Sequence, residues 1–171
     1  MYVLGVDFGG GASKATLLDN QGKVVATATA EYPTHYGEGG KAEQSPNDWY
    51  KAACKNIRAV LRGVNAEEVH CVCFDAATHT AVLMNEYGEP LCDSVYWTDT
   101  RSVKEKAYLA ENYGEELFEK CKHNVDTVWT LPEILYVKNT RPELYARVKK
   151  VTFAKDFVRG KFTGDFVTDY I

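Results

Sequence analysis

No apolar run in this sequence approaches the roughly 20 residues that a membrane span needs, so a membrane is not an expected partner. Met1 to Phe8 has no basic leader and runs straight into an acidic residue and glycines, unlike a secretory signal. The cytoplasm is therefore the expected compartment. There is no Cys-x-x-Cys pair, no zinc-ligand spacing and no Ser/His/Asp arrangement. Repeats, low-complexity tracts and linkers are also missing. An excess of charge of one sign is lacking as well: the net charge is -4, which gives no reason to expect nucleic acid as a partner.

The five cysteines (Cys54, Cys71, Cys73, Cys92 and Cys121) are an odd number without an export signal, which favours free thiols. Cys71 and Cys73 lie two apart on a predicted strand without a second ligand pair, and are expected as buried apolar groups. With 45% hydrophobic residues in 171, the chain has enough apolar side chain for one domain with a substantial core.

The order of elements is legible from periodicity. Tyr2 to Asp7 and Ala12 to Asp19 read as strands around a glycine turn, Gly9-Gly10-Gly11, where glycine is expected for its backbone freedom. Val24 to Tyr32 alternates as a third strand, so the chain opens with three antiparallel strands. A polar loop runs from Pro33 to Ser45. Ser45 is expected to cap a helix that has Pro46 in its first turn and continues to about Gly63. Val69 to Phe74 is expected as a buried strand with Asp75 at its end, followed by a strand from Thr80 to Asn85 and a short apolar stretch at Val95-Tyr96-Trp97. Helices are expected over Ser102–Asn112, Glu115–Cys121, Leu131–Asn139, Pro142–Val148 and Lys155–Lys161, with a strand at Val151–Phe153. Three antiparallel strands, a crossover helix and a parallel return fit an α/β ribonuclease H-like core of the actin-type ATPases, with a mixed sheet.

Three stretches carry chemistry. In Asp7-Phe8-Gly9-Gly10-Gly11-Ala12-Ser13-Lys14, backbone N–H groups of the glycine turn can surround phosphate oxygens. Asp7 can hold Mg²⁺ through water, and Lys14 supplies positive charge. The glycine and lysine spacing is not that of a Walker loop. Taken alone, a structural hairpin turn explains these residues slightly better. In Asp75-Ala76-Ala77-Thr78-His79-Thr80, His79 can hydrogen-bond a sugar hydroxyl through either ring nitrogen. A loop histidine making one structural bond is the simpler reading in isolation. In Trp97-Thr98-Asp99-Thr100-Arg101 the indole offers an apolar face to sugar C–H groups, and Asp99 and Arg101 can bind hydroxyls or each other. For that last pair a structural ion pair is the simpler reading, whereas Trp97 is balanced between core and site.

In combination and in order, these stretches resemble the N-terminal domain of the FGGY carbohydrate kinases. Asp7 to Lys14 is similar to that family's first phosphate motif, and Glu43-Gln44-Ser45-Pro46-Asn47-Asp48-Trp49 to its helix entry. Ala77-Thr78-His79-Thr80 falls where xylulokinases carry a methionine-histidine-glycine loop. Trp97-Thr98-Asp99-Thr100-Arg101 matches the family's Trp-x-Asp-x-Arg. Lys155-Asp156-Phe157-Val158, Thr163-Gly164-Asp165 and Thr168-Asp169-Tyr170 resemble the segment leading to the deeper site. The resemblance implies Mg²⁺-assisted transfer of the ATP γ-phosphoryl group to a sugar or polyol, a ketopentose such as xylulose being expected.

It also implies roles for single residues. Thr78, His79, Trp97, Asp99 and Arg101 would bind substrate; Gly9, Gly10, Gly11, Ser13 and Lys14 would lie near phosphates; Asp7 would hold the metal. The sequence departs from the family where Gly10 and Gly11 replace a hydroxyl residue, and where Thr78 and Thr80 replace methionine and glycine. By the same resemblance, residues 1–171 are a partial sugar-binding domain. The catalytic base is expected beyond Ile171, in place of Asp169, and the ATP-binding domain is absent, so the chain alone is expected to be inactive. Alternatives are a non-catalytic sugar-binding module and a self-associating remnant, and some homo-oligomerisation is expected under any reading.

Overall fold

The computed structural model describes residues 1–169; Tyr170, which closes the last motif above, and Ile171 lie outside the described residues. In chain order the strands and helices begin β1 (Tyr2–Phe8), β2 (Ala12–Asp19), β3 (Val24–Glu31), β4 (His35–Gly37), β5 (Lys41–Gln44), α1 (Pro46–Val60) and β6 (Val69–Ala76). They continue with β7 (Ala81–Met84), β8 (Ser94–Val95), α2 (Val103–Cys121), α3 (Thr130–Thr140), α4 (Pro142–Tyr145), β9 (Lys150–Phe153) and α5 (Ala154–Thr163). The chain divides into two compact units, one formed by Met1–Thr34, Ser45–Ala77 and Thr152–Ile171, the other by His35–Gln44 and Thr78–Val151.

The first unit is built on a four-stranded sheet in the order β3-β2-β1-β6. β1, β2 and β3 are antiparallel neighbours, and β6 returns parallel to β1. Alternation along each strand sorts the side chains. Leu4, Val6 and Phe8 of β1 and Ala15 and Leu17 of β2 are buried. Asp7 and Lys14, one step along, point to the other face. α1 packs on β2 and β3 through buried Trp49, Ala52, Ala53 and Val60, and the Asn56 amide donates to the Ser13 carbonyl at 2.9 Å. α5 adds Phe157 and Val158, and Gly160 leaves the space that the Phe166 ring fills.

Three expectations are corrected here. Ser45 precedes α1, but its side chain makes no capping hydrogen bond; Pro46 at the start of the helix fixes the entry. β6 is not buried here: among the described residues it lies at the margin of the sheet, and Val72, Cys71 and Cys73 are exposed. Apolar composition identifies a strand without telling an end strand from a central one, so the expected burial of Cys71 and Cys73 fails for the same reason. All five cysteines are free thiols.

The second unit has a three-stranded antiparallel sheet, β4-β5-β8, laid down in part by the Pro33 to Ser45 segment that reads as loop. Leu83, Val95 and Val137 form its core, with Ile134, Tyr136, Leu144 and Val148 packed against them. The helices expected at Ser102–Asn112 and Glu115–Cys121 are one continuous helix, α2. Gly114 lies inside it, where glycine costs about 1 kcal/mol relative to alanine without breaking the helix. α2 ends at Lys122, whose φ of 58° is the left-handed stop common at helix ends.

Candidate functional site

In the first unit, strand register builds a charged strip. Asp7 pairs with Lys14 on one side and Asp75 on the other. Directly paired positions share a face, so two carboxylates and an ammonium group line one shallow cleft with Gly5, Thr16 and Cys73. Partial burial raises the Asp7 carboxyl above its ordinary value, and the negative charge of Asp75 adds to this; the Phe8 N–H and Lys14 oppose it. Two carboxylates that repel one another are the donor set a hydrated divalent cation neutralises, so Asp7 and Asp75 fit Mg²⁺ bound through its water shell. Among the described residues no group of three or more His, Cys, Asp or Glu side chains is arranged to hold a metal directly.

The glycine turn is braced from behind. The Tyr32 hydroxyl donates to the Gly9 carbonyl at 2.6 Å, the Thr34 hydroxyl donates to the Gly10 carbonyl at 2.7 Å, and the Tyr32 N–H donates to the Gly11 carbonyl at 3.0 Å. Sequence pattern does not single out Tyr32 and Thr34, which lie more than twenty residues from the turn. None of Gly9, Gly10 and Gly11 has a positive φ, so backbone freedom is not what the turn requires of them. A Cβ at Gly11 would meet open space, and one at Gly9 only the Ala12 carbonyl at 3.5 Å. Ser13 is a correction: it is fully buried on the core face, opposite Lys14, and its hydroxyl cannot meet a phosphate on the Asp7 face.

In the second unit, Thr78 and His79 open the segment after β6. Thr78 is exposed, and its carbonyl accepts from the Thr80 hydroxyl at 3.3 Å. His79 has a φ of 59°, in the left-handed region that few non-glycine residues enter and where strain collects at functional sites. Its ring meets that of Trp129 at 4.9 Å, and Trp129 in turn meets His123 at 5.2 Å. Burial lowers the affinity of His79 for a proton, and the charge of His123 lowers it further. At neutral pH His79 is therefore a neutral imidazole with one donor and one acceptor nitrogen. Trp97 is 44% exposed and lies against Tyr96.

Asp99 and Arg101 form an ion pair. Asp99 is 1% exposed and accepts from the Ala42 N–H at 2.8 Å, the Arg101 N–H at 2.9 Å and the Arg101 guanidinium. Arg101 also reaches Glu43 at 2.6 Å and lies over the Tyr136 ring at 5.0 Å. Arg141 and Lys41 complete the shell of Glu43 at 3.0 and 3.1 Å. Burial alone would raise the Glu43 carboxyl, but Arg101, Lys41 and Arg141 outweigh it and hold it below its ordinary range. Burial would likewise lower Arg101; Asp99 and Glu43 outweigh it, so the guanidinium stays charged. Asp99 and Arg101 are thus committed to one another and to Glu43 and Ala42, and tie β5 to the Trp97 loop.

Glu133 on α3 has no such partners. It is 2% exposed, neither carboxylate oxygen has a hydrogen-bond partner among the described residues, and it shares a small, mostly apolar cavity with Ser94, whose hydroxyl is likewise unpartnered there. Burial and the charge of Asp99 push its pKa up to about 10. Sequence pattern presents Glu133 as an ordinary acid in the first turn of a helix. Only the fold reveals that it is buried.

A family model described as the FGGY family of carbohydrate kinases, N-terminal domain, matches residues 2–171. The chain belongs to that family. A xylulose kinase of Bacillus subtilis (strain 168) is 30% identical over 171 residues, 99% of this chain and 34% of that protein. The fold matches the crystal structure of a xylulose kinase from Rhodospirillum rubrum with a TM-score of 0.91 at 22% identity, covering 99% of this chain and 36% of that one. A gluconate kinase from Lactobacillus acidophilus matches equally, with a TM-score of 0.91 at 22% identity over 98% of this chain and 34% of that one. The architecture is thus the ribonuclease H-like fold of the FGGY kinases. The chain spans about a third of the length of the curated relatives it matches.

Proposed function

We propose that the protein carrying this chain transfers the γ-phosphoryl group of ATP to a hydroxyl of a sugar, with a ketopentose such as xylulose as the acceptor. The observation that carries this reading is the pairing of a neutral, strained His79 and its aromatic neighbours with family membership over nearly the whole chain. Phosphoryl transfer asks little covalent chemistry of the protein; it asks for positioning and for charge on the phosphates.

The residues divide that work. His79 binds a substrate hydroxyl as donor or acceptor. The open surface of Gly9 to Gly11, with Lys14 beside it, receives phosphate oxygens. Asp7, with Asp75 in register, holds Mg²⁺ through water, and the ion when bound neutralises charge on the phosphates. Asp99 and Arg101 keep the frame around the Trp97 loop.

Asp7→Asn removes the charge with little change of shape. In the complete gene product it is expected to lower kcat by about a hundredfold or more, the scale of losing one electrostatic stabiliser. KM for the sugar is expected to stay within a few-fold. Steady-state ADP release over a Mg²⁺ titration checks this, and an unchanged kcat removes Asp7 from the proposed metal role.

A further inference from the structure

Trp129 is the aromatic residue that the sequence motifs leave out and the fold brings to His79. We propose that Trp129 is a substrate-contacting, specificity-determining residue whose ring supports the carbon chain of an uncharged sugar. This rests on the sugar-kinase reading above and deepens it.

Three separate segments converge on this ring. His79 comes from the loop after β6, His123 from just beyond the left-handed stop of α2, and Trp129 from the residue before α3. The indole is half-buried, held by the two imidazoles at 4.9 and 5.2 Å. An indole face accepts the C–H side of a sugar, while neutral His79 offers one donor and one acceptor to the hydroxyls on its edge. Trp97, the ring that the family motif points to, packs instead beside Tyr96.

The surrounding charge sets the class of substrate. Lys122, next to His123 in the chain, is paired with Glu119 at 3.0 Å. Arg101 is consumed by Asp99 and Glu43. Burial keeps His79 neutral. With Lys122 and Arg101 each paired to carboxylates, an uncharged ketose or polyol suits the ring cluster better than an aldonate anion.

The test uses the complete gene product, with ADP release on D-xylulose and D-gluconate. Trp129→Ala is expected to raise KM for D-xylulose tenfold or more with kcat within threefold, and Trp129→Phe to restore KM to within threefold of the parent. A purely structural role would instead lower active-enzyme concentration and kcat together, leaving KM in place. KM within twofold of the parent in Trp129→Ala overturns the proposal. Turnover of D-gluconate but of no uncharged sugar overturns it while leaving the kinase reading intact. No ADP release with any sugar overturns both.

Discussion

Glu133→Gln is expected to stabilise the folded chain by about 3 kcal/mol at pH 7 and by almost nothing at pH 4. The carboxyl has its pKa pushed up to about 10 in the folded state, against an ordinary 4.5. A raised carboxyl favours the folded state fully only below the unfolded value, where both states hold the proton. Above pH 4.5 the unfolded chain releases that proton while the folded chain must keep it, and the contribution falls until the folded group itself ionises near pH 10. Two and a half pH units at about 1.4 kcal/mol each give the value at pH 7. Glutamine keeps the shape and cannot ionise, so it escapes this loss. Urea unfolding at pH 4, 7 and 9 checks it: the gap between variant and parent should widen with pH. A constant gap would mean that Glu133 meets a partner that satisfies its charge.

Asp99→Ala is expected to work in the opposite direction and to cost about 3–5 kcal/mol, the range for breaking a buried ion pair from one side. It leaves the Ala42 N–H without its acceptor and the Arg101 guanidinium with Glu43 as its remaining carboxylate. The same substitution removes one of the two causes that raise Glu133. The double variant Asp99→Ala, Glu133→Gln should therefore gain less from the glutamine than the single variant does, a non-additivity that a double-mutant cycle reads directly. Additive effects would place the two carboxylates outside each other's field.

Much of the fold is legible in the sequence because the first unit obeys simple periodicities. The alternation of Leu4, Val6 and Phe8 with Gly5 and Asp7 fixes both the strand and its faces. The apolar spacing of Trp49, Ala53 and Val60 fixes α1. The end position of β6 is not legible, since Val69 to Phe74 reads the same in the middle of a sheet or at its margin. Nor are β4 and β5, three and four residues long in a polar segment too short to show a period. In the site, motif order picks out Asp7, Lys14 and His79. It also assigns Ser13 to phosphate, an assignment that strand alternation reverses once the register with Phe8 is known. Trp129 and Glu133 owe their surroundings to residues distant in the chain, and local pattern carries no trace of those neighbours.

The measurement that tests the account most directly is sugar-dependent ADP release from the complete gene product, with D-xylulose as acceptor, compared with the His79→Ala variant. Release is expected to require both ATP and the sugar, and kcat/KM to fall by about a hundredfold on removing the imidazole, about 2.7 kcal/mol, within the range for leaving a polar group without its hydrogen-bond partner. Release that is equally fast without His79 would contradict the assignment of this loop to the substrate, and no release with any sugar would contradict the proposed reaction itself.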